Sequence, residues 1–293
     1  MRFKGVYLEK SSTAKVGILF LLIFVSAILH TFFGALIVYL FAENGLQIIQ
    51  NQQLENQTSV NYLKLMQFFS AVGLFITPTF LYAYLTNFDF KFFAISRQNS
   101  MLVITIMLLI TPFIGLLLQW NMMIPFPDWL LIFDSKSEVL VEAYLKMNNY
   151  WDLLFTLLVL AVVPSIGEEL LFRGYLQQKF GKRFGNMHTS ILITAFLFST
   201  ILFHFQGVIP RFVLGVLLGY LFYWSQSLWL PILAHFINNA QAIFFSYPIF
   251  KIENGVYSAF TEASVYPIMG LCSFLAVSLL LYMLHQNLSI KKG

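Results

Sequence analysis

Apolar runs long enough to cross a bilayer recur along almost the whole chain. A span needs about 20 mostly apolar residues, and such runs cover residues 16–42, 65–86, 100–120, 151–172, 188–206, 209–225, 229–247 and 264–285. The pattern predicts about eight transmembrane helices, the sixth of them short and bounded by Pro210. Two connecting segments are long. Residues 43–63 are rich in Asn and Gln and read as solvated. Residues 121–150 hold Pro125 and Pro127, then Ser135 with Glu138 three positions on, the spacing of a capping box. Val139, Leu140, Ala143, Tyr144 and Met147 follow at helical spacing. A short amphipathic helix is expected there, lying on the membrane surface or packed on the protein. No internal repeat, Gly-rich phosphate loop or nucleic-acid motif breaks the pattern, so no nucleic-acid partner is expected.

Composition agrees. Of 293 residues, 59% are apolar and 10% are charged, against about 25% charged in a soluble domain. The fold class is therefore all-α: a polytopic integral membrane protein, with residues 1–293 as one membrane domain in contact with lipid. With the N-terminus placed inside, the inner segments carry Arg2, Lys4, Lys10, Lys15, Lys91, Arg97, Lys179, Lys182, Arg183, Lys291 and Lys292. The outer segments carry only Lys64, Lys136, Lys146, Arg211 and Lys251. That asymmetry follows the positive-inside rule and puts both termini in the cytoplasm. The basic head precedes an apolar stretch too long for a signal peptide, so it reads as a retained first span. Cys272 is the single cysteine, which excludes an internal disulfide and a Cys-rich metal site.

Against this background one run stands apart. LAVVPSIGEELLFRGY, residues 160–175, places Glu168, Glu169 and Arg173 inside a span. Each ionisable side chain at a helix centre costs on the order of 2.5–3.5 kcal/mol on insertion scales. Glu169 and Arg173 are four apart and share a face, so they can pair. Glu168 points about 100° away from Glu169. One carboxylate can thus be held in an ion pair while the other stays available as a general base. The bland reading is that the trio only locks helices together.

Two further groups lie on other spans. His235 and Asn239, in LWLPILAHFINNA, are also four apart. An imidazole suits a metal and an amide oxygen is a weaker ligand or a hydrogen-bond partner. His204 lies in FSTILFHFQGVIPRF, two residues before Gln206. Together the groups offer a Glu base, two imidazoles and an amide, a set able to activate water against a carbonyl with or without a metal. The zincin helix HExxH is absent. His30, His188 and His285 read as packing or membrane-edge residues, and Trp151, Trp224 and Trp229 sit near span ends as an aromatic belt expects.

At these residues the chain resembles the CAAX-processing and bacteriocin-processing (CPBP, or Abi) family of intramembrane proteases. The family's Glu-Glu-x-x-x-Arg motif matches Glu168, Glu169 and Arg173, and its His-x-x-x-Asn motif matches His235 and Asn239. The flanking text, GEELLFRGYLQ and SLWLPILAHFINNA, looks like bacterial members. The resemblance covers residues 150–245, the expected core. It implies an endopeptidase acting on a peptide or protein presented at the membrane, in a bacterial cytoplasmic (inner) membrane. It implies Glu168 as the activator of water, with Glu169, Arg173, His204, His235 and Asn239 in the same pocket. It also implies a divalent metal, zinc, held by His204, His235 and Asn239; a Glu–His–Asn site without metal stays open.

One departure matters. The family's middle motif is Phe-x-x-x-His, and four residues after Phe198 stands Leu202; His204 comes two residues later. Two residues turn a helix by about 200°, so His204 replaces the missing histidine only if the helix shifts register there. A catalytically impaired member acting as a membrane binder, immunity or scaffold protein is the alternative. A transporter relaying protons is a third reading, disfavoured because the charges cluster at one place.

Overall fold

The structure, a computed structural model, describes residues 3–54, 56–201, 205–248 and 267–290. Among these the chain is helical, without strands. The helices are α1 (Ser12–Phe41), α2 (Gly45–Asn51), α3 (Gln57–Thr86), α4 (Arg97–Leu109), α5 (Thr111–Met122), α6 (Asp128–Leu145), α7 (Tyr150–Phe184), α8 (Met187–Thr200), α9 (Val208–Ser225), α10 (Trp229–Ser246) and α11 (Pro267–Ile290). By length and composition five helical segments can cross a membrane: α1, α3, α7, residues 205–225 and α11. The pair α4 and α5, bent by 43°, makes a sixth if it is one broken span. Among the described residues, each of the eight apolar runs read from the sequence overlaps a helix or a bent helix pair. Two fall short as spans: α8 is short, and α10 is diluted by His235, Asn238, Asn239 and Gln241.

Burial separates the rim from the centre. Only 6% of the apolar window of α1 is buried, against 50% for α7. Phe20, Phe24, Phe32 and Leu40 of α1 point outward, as a lipid-facing helix requires and a soluble one does not. Around α7 pack α3, α8, α9 and α10. Leu170, Leu171, Phe172 and Tyr175 of α7 form one core with Phe75 and Tyr82 of α3, Phe198 of α8, Phe222 of α9 and Ile232 of α10.

Close approach depends on glycine. A Cβ on Gly215 would stand 3.0 Å from the Ala195 Cβ, and one on Gly219 would stand 2.8 Å from Ile191 Cγ2, so α9 lies directly against α8. The corner between α7 and α8 is written in the sequence: Gly185 ends α7 at φ 64°, and the Asn186 side chain accepts from the amides of His188 and Thr189 to start α8.

Proline shapes the long helices. Pro164 has no N–H to give the Leu160 carbonyl four residues back, and α7 widens into a π turn over Leu158–Val162. Pro78 stands in the same relation to Leu74, inside a π turn of α3 at Val72–Ile76. A second, longer π segment of α7, Leu170–Gln177, carries Arg173.

The connecting segments differ from expectation. Residues 43–63, read as solvated, are largely helical, with Ile48, Val60 and Leu63 buried. Their Asn and Gln residues mask a spaced apolar set. Helix α6 begins at Asp128 after Pro127, and Ser135 lies inside it, so the Ser135–Glu138 capping box does not start that helix. Ala143 and Tyr144 bury against α1, α2 and α3, so α6 is packed on the protein. Lys64, counted with the outer loops, is fully buried on α3 and donates to Thr156 Oγ1 at 2.8 Å.

Candidate active site

Glu168 and Glu169 sit near the middle of α7, between its two π segments, and Arg173 lies within the second of them. Gly167 permits this: a Cβ there would be 2.7 Å from the Phe75 Cβ, so α7 and the π turn of α3 touch backbone to side chain beside Glu168. Irregular turns of this kind are common at functional sites, where they redirect side chains within a helix.

The charges divide as their positions on the helix allow. Arg173 Nη1 donates to Glu169 Oε1 at 2.6 Å, and both side chains are fully buried. Arg173 Nη2 donates to the Gly215 carbonyl at 2.9 Å, and its guanidinium lies over the Phe198 ring at 4.6 Å. Four residues on, Gln177 Nε2 donates to the Gly219 carbonyl at 2.9 Å. Two polar rungs thus join α7 to the glycine face of α9.

His235, from α10, completes the cluster. Its Nδ1 lies 2.9 Å from Glu169 Oε1. A carboxylate only accepts, so Nδ1 carries the proton and Nε2 of the neutral ring has a free lone pair. Nε2 faces Glu168 Oε2 at 4.0 Å. Phe198 meets the imidazole edge to face at 5.8 Å and holds its plane. Glu168 keeps 12% of its side chain exposed where Glu169 and Arg173 keep none, so it is the carboxylate with access to an incoming group. The Arg211 charge, at the start of α9, also reaches Glu168.

Asn239 shares the face of α10 but turns its amide elsewhere. Its Nδ2 donates to the Leu160 carbonyl at 3.2 Å and its Oδ1 accepts from Asn238 at 3.1 Å. The acceptor is the carbonyl that Pro164 leaves open, so Asn239 ties α10 to α7 two turns before Glu168. His204 and Leu202 lie outside the described residues.

Sequence reasoning did not find several contributors. Phe198 bridges Arg173 and His235. Asn121 of α5, fully buried, donates to the Phe205 carbonyl at 2.9 Å and accepts from the Ile209 amide at 2.7 Å, pinning the turn that directly follows His204 in the chain. A second polar cluster joins Asn61 and Lys64 of α3 to Asp152 and Thr156 of α7. The lone Lys64 in an apolar run was the available signal. His30 accepts the bland reading, bonded to Ser26 and Thr77; His188 meets Tyr220 at 2.8 Å, and His285 packs on Trp224.

A divalent ion was expected on His204, His235 and Asn239. Two ligands of a tetrahedral zinc at about 2.0–2.1 Å stand about 3.3–3.4 Å apart, closer than the 4.0 Å between Glu168 and His235. A water bonded to both at about 2.8 Å spans about 4.0–4.4 Å. Asn239 is engaged with Leu160 and Asn238, and no group of three His, Cys, Asp or Glu gathers among the described residues. The separation of Glu168 and His235 suits a bridging water; His204, the third expected ligand, lies outside the described residues.

Residues 150–241 match the family model described as type II CAAX prenyl endopeptidase Rce1-like, which bears out the resemblance carried by Glu168, Glu169, Arg173, His235 and Asn239. No curated protein and no solved structure matches the chain.

Proposed function

With residues 150–241 matched to that family, we propose that this protein is an intramembrane endopeptidase hydrolysing a peptide bond in a peptide or protein presented at the membrane. One observation carries the reading: Glu168 Oε2 and His235 Nε2 face each other at 4.0 Å, with His235 Nδ1 fixed by Glu169. A water held between them gives its proton to Glu168 as its oxygen bonds to the scissile carbonyl carbon. The carbonyl oxygen takes the negative charge. When the C–N bond breaks, the proton on Glu168 passes to the departing nitrogen, and the carboxylate is restored. His235 orients the water through Nε2. Glu169 sets the tautomer of His235, and Arg173 balances the charge of Glu169, so that one carboxylate is spent on structure and the other works on the substrate.

The substrate class that the family description names is a C-terminal CAAX tail carrying a prenylated cysteine. The test is cleavage, by purified protein in proteoliposomes, of a panel containing a farnesylated CAAX peptide and unlipidated peptides spanning the bilayer surface. Wild-type cleavage that Glu168→Gln abolishes without a change in melting temperature supports the reading. A wild-type protein inert on the whole panel supports instead the impaired, binding-only member that Leu202 suggests.

A further inference from the structure

The start of α1 and the end of α7 meet in a group of lysines that the active-site cluster does not use. Lys179 Nζ lies 3.5 Å from Ser12 Oγ and 5.9 Å from the centre of the Tyr175 ring; Lys15 stands one turn after Ser12 on α1, and Lys182 one turn after Lys179 on α7. Lys15 spends one donor on the Leu8 carbonyl at 2.6 Å. Among the described residues no carboxylate pairs with Lys15, Lys179 or Lys182. Two helix ends thus bring three lysines to one place with no carboxylate among them, a positive patch that attracts an anion.

The surroundings select the kind of anion. Val16, adjacent to Lys15 in the chain, and Phe184, two residues after Lys182, are exposed apolar side chains. A cleft of about 320 Å³ lined by Lys4, Gly5, Leu8 and Asn87 shares Leu8 with the Lys15 contact. Charge on the helix ends beside apolar surface on the helix flanks is the layout of a phospholipid, phosphate above and acyl chain below.

We propose that Lys15, Lys179 and Lys182 bind the phosphate of an anionic phospholipid, bridging α1 to the end of α7. The bound headgroup ties the peripheral first helix to the helix that carries Glu168.

The test is the melting temperature of the full chain in detergent as phosphatidylglycerol is added, against phosphatidylcholine with the same acyl chains and against inorganic phosphate. Phosphatidylglycerol at about a hundredfold over its Kd raises the melting temperature by about 5 °C, phosphatidylcholine does not, and raising NaCl from about 0.1 M to about 1 M, which shortens the screening length about threefold, weakens the rise. Lys15→Gln/Lys179→Gln/Lys182→Gln loses the rise, and the triple Arg variant keeps it. If the Gln variant does not fold, the salt and headgroup comparisons on the wild type decide. An equal rise with phosphatidylcholine, a rise that survives in the folded Gln variant, or a rise given in full by inorganic phosphate overturns the proposal.

Discussion

Arg173→Met tests whether the buried pair is the brace of the site. Methionine keeps the length and apolar bulk but removes three things: the 2.6 Å bond to Glu169, the 2.9 Å bond to the Gly215 carbonyl and the cation over Phe198. Glu169 then keeps a single partner, His235 Nδ1, and a fully buried carboxylate loses its counter-charge. Removing one partner of a buried ion pair costs about 3–5 kcal/mol, and the unpaired Gly215 carbonyl falls within that loss. We expect about 4 kcal/mol. Glu169→Gln alone leaves the cation unbalanced and is also strongly destabilising. The double variant removes both charges, so it is more stable than the sum of the singles by about 2–3 kcal/mol. Reversible unfolding of the purified protein in mixed micelles measures all three. A single-variant loss below about 1 kcal/mol, or a strictly additive double variant, refutes the brace.

Other outcomes follow from the same contacts. Gly167→Ala drives a methyl to within 2.7 Å of Phe75; it should cost about 1–3 kcal/mol in unfolding experiments and lower the cleavage rate, because Glu168 moves with its neighbour. Asn121→Ala removes the bonds to the Phe205 carbonyl and the Ile209 amide, and should cost about 2–4 kcal/mol; an unchanged melting temperature would show that the turn is held by other contacts. Burial pushes the Tyr144 hydroxyl up from 10.0 to about 12. The folded state holds that proton when the unfolded state has lost it, so stability falls as pH rises from 10 to 12. Tyr144→Phe should remove that part of the slope, read as the difference between the two proteins' pH profiles. Dialysis against a chelator should leave cleavage intact, since Glu168 and His235 fit a water; loss of activity restored by zinc would reverse that assignment.

Much of the fold was legible because lipid imposes a simple rule on sequence. A run of apolar residues had to be a helix, and among the described residues each of the eight runs overlaps one or a bent pair. The site was legible for the opposite reason: Glu168, Glu169, Arg173 and His235 break that rule. The 3.6-residue period alone separates Glu168 from Glu169. Less legible were effects set by tertiary packing. Lys64 looked like a loop residue because its partners, Thr156 and Asp152, lie some ninety positions away. Asn121 looked like one polar residue near a span end, and only the chain path brings it to Phe205 and Ile209. The π turns do carry a signal in the sequence. Pro78 and Pro164 each deprive one carbonyl of its donor, and at Leu160 that carbonyl takes Asn239 instead. Asn239 therefore ties α10 to α7 through its amide nitrogen, a contact that its spacing from His235 did not reveal.

The central claim is that Glu168 takes the proton from water. The most direct measurement is the single-turnover cleavage rate of Glu168→Gln beside wild type on one membrane-presented substrate, with melting temperatures recorded for both. The expected loss is about 10²–10⁴-fold with the fold unchanged. A Glu168→Gln protein that cleaves within about threefold of wild type would mean that another group holds the water.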